Sequence, residues 1–165
     1  MRIFGIDPGS RVCGYGVVDL EGGETRFVAA GALQAGREAA PARLFSLFRG
    51  LQALLEEHHP DAIAVETPFV GPNVAAALRI GEARGVVLLA AAEAGASIHE
   101  YAPARVKRAV VGHGTASKPQ VGRLVQAWLG LAEPPRSPDA ADALAIALCH
   151  ARAAESALAS ERGVA

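Results

Sequence analysis

The sequence predicts an α/β fold on a mixed sheet, and three observations carry that reading. Short apolar segments at residues 2–7, 14–20, roughly 25–33, 61–66 and 97–101 have strand length and are bounded by Gly, Pro or Asp turn residues. Longer stretches between and after them repeat apolar side chains at helical spacing. The first three strands follow one another directly, whereas a helix separates the third from the fourth. An antiparallel meander is thus followed by a return that is most easily placed parallel beside the first strand.

Met1-Arg-Ile-Phe-Gly-Ile-Asp7 reads as the opening strand, too short for a helix and closed by the Pro8-Gly9 turn. The second and third strands join across Glu21-Gly22-Gly23-Glu24 as a hairpin. From about Ala40 to His59, Leu44, Leu47, Phe48, Leu51, Leu54 and Leu55 mark one helical face, and Pro60 stops the helix. Asp61-Ala-Ile-Ala-Val-Glu66 is a buried fourth strand, ended by Thr67-Pro68. A second helix runs from Asn73, its N-cap, to about Ala94. Its Gly81 and Gly85 each cost roughly 1 kcal/mol of helix stability relative to alanine, which points to close backbone approach by something such as a partner helix. Ser97–Tyr101 is the fifth strand. Helices at about Ala104–Val111 and Pro119–Leu129 follow, joined by Gly112–Ser117, whose glycines equally suit a plain linker. The last helix begins with Ser137 as N-cap and Pro138 at its first position.

A chain of 165 residues, half of them hydrophobic and a fifth charged, fits one domain, expected to span 1–155, with 156–165 as a disordered tail. Cys13 and Cys149 have no Cys or His spacing that builds a zinc site, and the reducing cytoplasm is their natural home. The best apolar run, Val86–Ala92, ends at Glu93 and is too short to cross a bilayer, so no membrane association is expected. A net charge of -1 argues weakly against a nucleic-acid partner. Charge is segregated, however: between Pro103 and Arg136 stand Arg105, Lys107, Arg108, Lys118, Arg123 and Arg136 against the single acid Glu133. Solvated helix faces are the alternative account of that stretch.

Four acids fall where these elements should converge. Asp7 and Glu66 end apolar strands, and a carboxylate in a buried strand must be paired, protonated or bound to a cation. Side by side, the two raise one another's pKa unless a cation lies between them. An Asx-type cap on each turn is the alternative, and it has to serve twice. Asp139 and Asp142 lie three residues apart on one face of the last helix. The helix N-terminus accounts for Asp139, but Asp142 is flanked by Ala141, Ala143 and Leu144. Carboxylates without a His or Cys cluster suit Mg²⁺ or Mn²⁺. Two such ions about 4 Å apart activate a water and stabilise the leaving oxygen of a displacement at phosphorus, which makes phosphodiester hydrolysis the reaction class. His58, His59, His99 and His113 have no evident partner and are expected at the surface or behind the site.

Gly5-Ile6-Asp7-Pro8-Gly9, Glu66 with Phe69 just after it, Ala77 to Gly85, Val106-Lys107 with Gly112 to Lys118, and Asp139-Ala-Ala-Asp142-Ala-Leu-Ala145 together resemble the RuvC family of Holliday junction resolvases. The match runs in order from residue 1 to about 150. It implies a ribonuclease H-like fold, a five-stranded mixed sheet flanked by helices. It also implies a homodimer that makes paired, symmetric nicks across a four-way DNA junction in recombination and repair, and branch-migration partners RuvA and RuvB.

On that resemblance Asp7, Glu66, Asp139 and Asp142 are the metal ligands and catalytic acids, holding two Mg²⁺ for which Mn²⁺ substitutes. Phe69, Asn73, Arg79, Lys107 and Lys118 are the DNA-contacting residues, and the Gly81/Gly85 helix lies at the dimer interface. Two positions depart from the family pattern: Pro72 stands where a basic residue is frequent, and Ser117 where an acid is common. A nuclease for RNA–DNA hybrid would use the same acids. A catalytically silent junction-binding protein would be expected to have lost one. An actin-like phosphotransferase shares the Asp-x-Gly-Ser opening but needs two related domains.

Overall fold

Five strands form one mixed sheet in a computed structural model that describes residues 1–36, 38–68 and 73–163. They are β1 (Arg2–Asp7), β2 (Val12–Glu21), β3 (Glu24–Gln34), β4 (Ala62–Glu66) and β5 (Ser97–Tyr101), in spatial order β3-β2-β1-β4-β5. The β1–β2 and β2–β3 pairs are antiparallel, and β1–β4 and β4–β5 are parallel. The meander and the parallel return therefore stand as expected. Gly22 and Gly23 form the hairpin turn with φ of 60° and 87°, the positive pair that a two-residue type I′ turn requires.

Among the described residues five helices cover the sheet: α1 (Ala40–His58), α2 (Val74–Glu93), α3 (Pro103–Val111), α4 (Lys118–Trp128) and α5 (Pro138–Arg162). Leu47, Leu51 and Leu55 of α1 and Ala83, Val87 and Ala90 of α2 pack with Phe4, Ile6, Ile63 and Val65 on one face. On the other face α3, α4 and α5 bury Val106, Val110, Val121, Val125 and Leu144 with Ile3, Val18 and Ala64. Side chains alternate along a strand. Phe4 and Ile6 point to α1 and α2, so Ile3, Gly5 and Asp7 share the α5 face. In β4, Ile63 and Val65 go with the first face, which puts Ala64 and Glu66 with α5. The same two-residue period that buries the core thus turns both strand-end acids towards the last helix.

Glycine lets α5 lie directly on the strands. A Cβ added to Gly5 would stand 2.2 Å from the Ala143 carbonyl oxygen, and one on Gly14 would stand 2.1 Å from that of Asp139. The facing helix is correspondingly rich in small residues, with Ala140, Ala141, Ala143, Ala145 and Ala147 all buried.

The sequence reading needs correction in two places. Segment 156–162 continues α5 where a tail was expected. Its Ala, Leu, Glu and Arg content favours helix, and the hydroxyls of Ser156 and Ser160 donate to the carbonyls four residues back at 2.9 Å. His58 is buried beside the Phe4 ring, with its carbonyl accepting from Arg2, so it belongs to the core beneath β1 and not to the surface. Cys13 and Cys149 are buried free thiols, pushed by burial up to about 12 and about 11. Among the described residues no helix is long and apolar enough to cross a membrane.

Candidate active site

Parallel pairing of Ile6 with Val65 brings the ends of β1 and β4 together, and Asp7 and Glu66 are the next residue on each strand. Both line a cavity of about 200 Å³ with Asp142, Lys107 and Lys118. Three separate parts of the chain supply its acids: β1, β4 and the first turns of α5. Ser137 caps α5 by accepting from the Ala140 amide at 3.1 Å, with Pro138 in the first turn. That cap fixes where Asp139 and Asp142 begin the helix. Asp139 lies beside this cavity, not in its wall, with its backbone against Gly14 and its charge felt by Asp7.

The electrostatics are those of an acid cluster short of positive charge. Asp7 is pushed up to about 6, first by burial and then by Asp142, with Lys118 partly opposing. Glu66 is pushed up to about 7, again by burial first, then by Asp7 and Asp142, with Lys118 and Lys107 opposing. Such values mark carboxylates held where their charge is not compensated. Lys118 lies at the start of α4, where the Ser117 amide donates to the Gln120 side chain at 2.8 Å. Its ammonium donates to a carboxylate oxygen of Asp142, which holds the Lys118 pKa above its ordinary value. For Ser117 the capping contact at the start of α4 is the role seen.

Carboxylate oxygens, two of them crowded into raised pKa values, are donors that suit a hard divalent cation. No group of three or more His, Cys, Asp or Glu side chains among the described residues is drawn close enough to hold an ion as it stands. The Lys118 ammonium supplies the neighbouring positive charge instead.

Not every nominated residue joins this cavity. Asn73 is exposed and caps α2, its side-chain oxygen accepting from the Ala76 amide at 3.0 Å. Arg79 is exposed on α2. Phe69 and Pro72 lie outside the described residues. Three further residues escaped the sequence reading. Arg84 reaches from α2 to a second cavity, of about 180 Å³, that Asp7 and Glu66 also line, and pairs with Glu100 at 2.6 Å. His150 is buried in α5, accepts from or donates to the Tyr101 hydroxyl at 2.7 Å and stacks on His99 at 4.2 Å between ring centroids. Burial lowers its pKa to about 4, so it is neutral at ordinary pH. A lone histidine between Cys149 and Ala151 on an apolar face was the available signal. Tyr101 in turn accepts through its carbonyl from the Thr67 amide at 2.9 Å, beside Glu66.

Comparison with known proteins agrees with the topology. The family described as crossover junction endodeoxyribonuclease RuvC matches residues 3–150. The crossover junction endodeoxyribonuclease RuvC of Chloroflexus aggregans is 53% identical over 153 residues, covering 92% of this chain and 93% of that protein. That of Halorhodospira halophila is also 53% identical, over 91% of this chain and 89% of its own length. Among solved structures, Thermus thermophilus RuvC superposes with a TM-score of 0.86 at 39% identity, covering 95% of this chain and 97% of that one. The same protein in complex with a Holliday junction substrate gives 0.86 at 37% identity, over 94% and 96%. Yeast mitochondrial Holliday junction resolvase Ydc2, at 14% identity and a TM-score of 0.67, shares the fold. The ordered motifs, the ribonuclease H-like sheet and these relatives lead to one assignment: the chain belongs to the RuvC family of crossover junction endodeoxyribonucleases.

Proposed function

We propose that this chain is a structure-selective endonuclease that resolves four-way DNA junctions by paired, symmetric phosphodiester hydrolysis. The observation that carries the proposal is the convergence of Asp7, Glu66 and Asp142 with two lysines in one cavity, with Asp139 beside it. Asp7, Glu66, Asp139 and Asp142 would hold two Mg²⁺ ions, with Mn²⁺ able to substitute. Ions bound there supply Lewis acidity and a water more readily deprotonated than bulk water. Lys107 and Lys118 hold phosphate oxygens and neutralise charge as it develops at phosphorus. Arg79 and Asn73 extend the DNA contact along α2, and Phe69 stacks on a base near the crossover.

A twofold substrate suits a twofold protein. On α2, Val74, Leu78 and Leu89 are 71%, 65% and 60% exposed, and among the described residues nothing beyond the helix itself lies within 4 Å of a Cβ built on Gly81 or Gly85. That apolar stripe with two backbone gaps supports the homodimer reading. RuvA and RuvB as partners and a cytoplasmic location rest on the family resemblance and the reduced cysteines.

Cleavage of a labelled synthetic four-way junction beside duplex, single strand and RNA–DNA hybrid, with Mg²⁺, Mn²⁺ or EDTA, tests the proposal. It predicts metal-dependent paired nicks on the junction alone. Preferential cutting of the hybrid would overturn the substrate while retaining the metal chemistry.

A further inference from the structure

Beside the acid cavity lies a second depression, of about 390 Å³, which shares Lys118 and Asp142 with it. Pro119, Pro134, Pro135 and Pro138 line it with Gly122, Ala141 and Ser137, whose hydroxyl oxygen is engaged by the Ala140 amide. Prolines lack an amide donor and hold their backbone angle fixed. The walls are thus apolar, poor in hydrogen-bond donors and largely preformed. Exposed Arg123, Arg136 and Lys118 also line it. Neither arginine forms an ion pair with a carboxylate among the described residues. The slot therefore offers van der Waals contact to a flat apolar face and positive charge to an anion attached to it. Its volume lies within the about 300–1,000 Å³ usual for ligand pockets.

We infer that this slot receives one nucleotide flanking the cleaved bond, with its unstacked base against the proline walls and its phosphate between Arg123 and Arg136. The inference rests on the junction-cleavage proposal and names a place on the protein for part of that substrate. A base presents an apolar face whatever its sequence, and a wall with few donors reads that face and its size, not its hydrogen-bonding edge. Continuity with the acid cavity through Lys118 and Asp142 places the occupant next to the bond being cut. Charge complementarity favours a nucleotide over an apolar peptide here, because the lining carries three cations against Asp142 alone.

The test uses full-length protein bound, in EDTA so that nothing is cut, to four-way junctions carrying 2-aminopurine at single positions on either side of the cleavage point. Proline does not stack on a base as a neighbouring base does, so a base moved into the slot should brighten several-fold. One position should brighten with the wild type and with Gly122→Ala, whose new Cβ would meet that of Ala141 at an ordinary 4.0 Å. Gly122→Leu fills the slot and should remove the signal while junction binding persists. The exposed Arg123→Ala/Arg136→Ala pair takes nothing from the core. It should weaken the same signal and reduce the salt slope of binding by about one per lost phosphate contact, which keeps the inference testable if Gly122→Leu does not fold. No brightening at any position, or brightening unchanged by both variants, in a protein that still binds and cuts junctions, would overturn the slot and leave the nuclease reading intact. That is also the result if the slot serves a protein partner. Failure of the wild type to bind or cut any junction would remove the nuclease reading and the slot with it.

Discussion

Lys118 at the start of α4 and Asp142 near the start of α5 form an ion pair at the cavity that Asp7 and Glu66 line. The Lys118 side chain is 69% exposed, and the Asp142 side chain is 20% exposed. An exposed cation of this kind contributes little to folding, at most about 1 kcal/mol. Its Coulomb influence nevertheless reaches Asp7, Glu66 and Asp142, so its effect falls on the chemistry. Lys118→Ala should lower the single-turnover cleavage rate roughly 10²-fold with a nearly unchanged urea midpoint. A large loss of stability with a modest loss of rate would make the pair structural.

Close approach of α5 to the sheet sets where Asp139 and Asp142 sit relative to Asp7. Gly14→Ala puts a methyl group into the space of the Asp139 carbonyl. The helix start has to move, and a shift of about 1 Å at a catalytic group costs on the order of 10²-fold in rate, beside about 1–3 kcal/mol of overpacking. Cleavage assays at saturating junction, paired with thermal unfolding, check this. Wild-type rates in the folded variant would show that the glycine contact does not position the acids.

Asp7 holds its proton more tightly folded, at about 6, than at its ordinary 3.8. The stabilisation from that proton is complete below about pH 4 and is lost as pH rises through about 6, so the ionised group is a burden at pH 8. Glu66, at about 7, acts in the same sense, whereas His150, at about 4, acts in the opposite one and loses stability as pH falls. The difference between wild type and Asp7→Asn isolates the first effect. In EDTA, Asp7→Asn should be the more stable protein at pH 8, by up to about 3 kcal/mol for a shift of roughly two units, and the advantage should shrink towards pH 4. Differential scanning calorimetry at several pH values reads it. Mg²⁺ should raise the melting temperature of the wild type and not of the variant. Equal stability at pH 8 would mean that Asp7 is already compensated within the chain.

Much of this was legible because the sheet obeys a two-residue period. Apolar Phe4, Ile6, Ile63 and Val65 fix which way Asp7 and Glu66 face, and the Ser137-Pro138 start fixes Asp139 and Asp142. The hairpin at Gly22-Gly23 and the stop at Pro60 followed from local backbone chemistry. What stayed hidden depends on contacts between distant segments. Arg84 with Glu100 and His150 with Tyr101 each join a helix to β5, pairings that only the packing of α2 and α5 on that strand sets. The helical course of 156–162 was missed because its polar residues look like a tail unless α5 is already running through them.

Exposed Leu78 and the open gaps at Gly81 and Gly85 predict self-association through α2. Leu78→Glu with Gly85→Leu should convert a dimer to a monomer by sedimentation velocity at micromolar concentration, without loss of helical signal. Paired nicking should become single nicking. A wild type that sediments as a monomer, or a double variant that remains a dimer, would move the interface elsewhere.

Asp7→Asn compared with wild type on one labelled four-way junction, reading binding and cleavage together in Mg²⁺, is the measurement that bears most directly on the proposed chemistry. The variant should bind the junction within a few-fold of the wild type and cut neither strand, while the wild type makes symmetric paired nicks. Persistent cutting by Asp7→Asn, or loss of junction binding to the same degree as cleavage, would contradict the assignment of Asp7 to the hydrolytic centre.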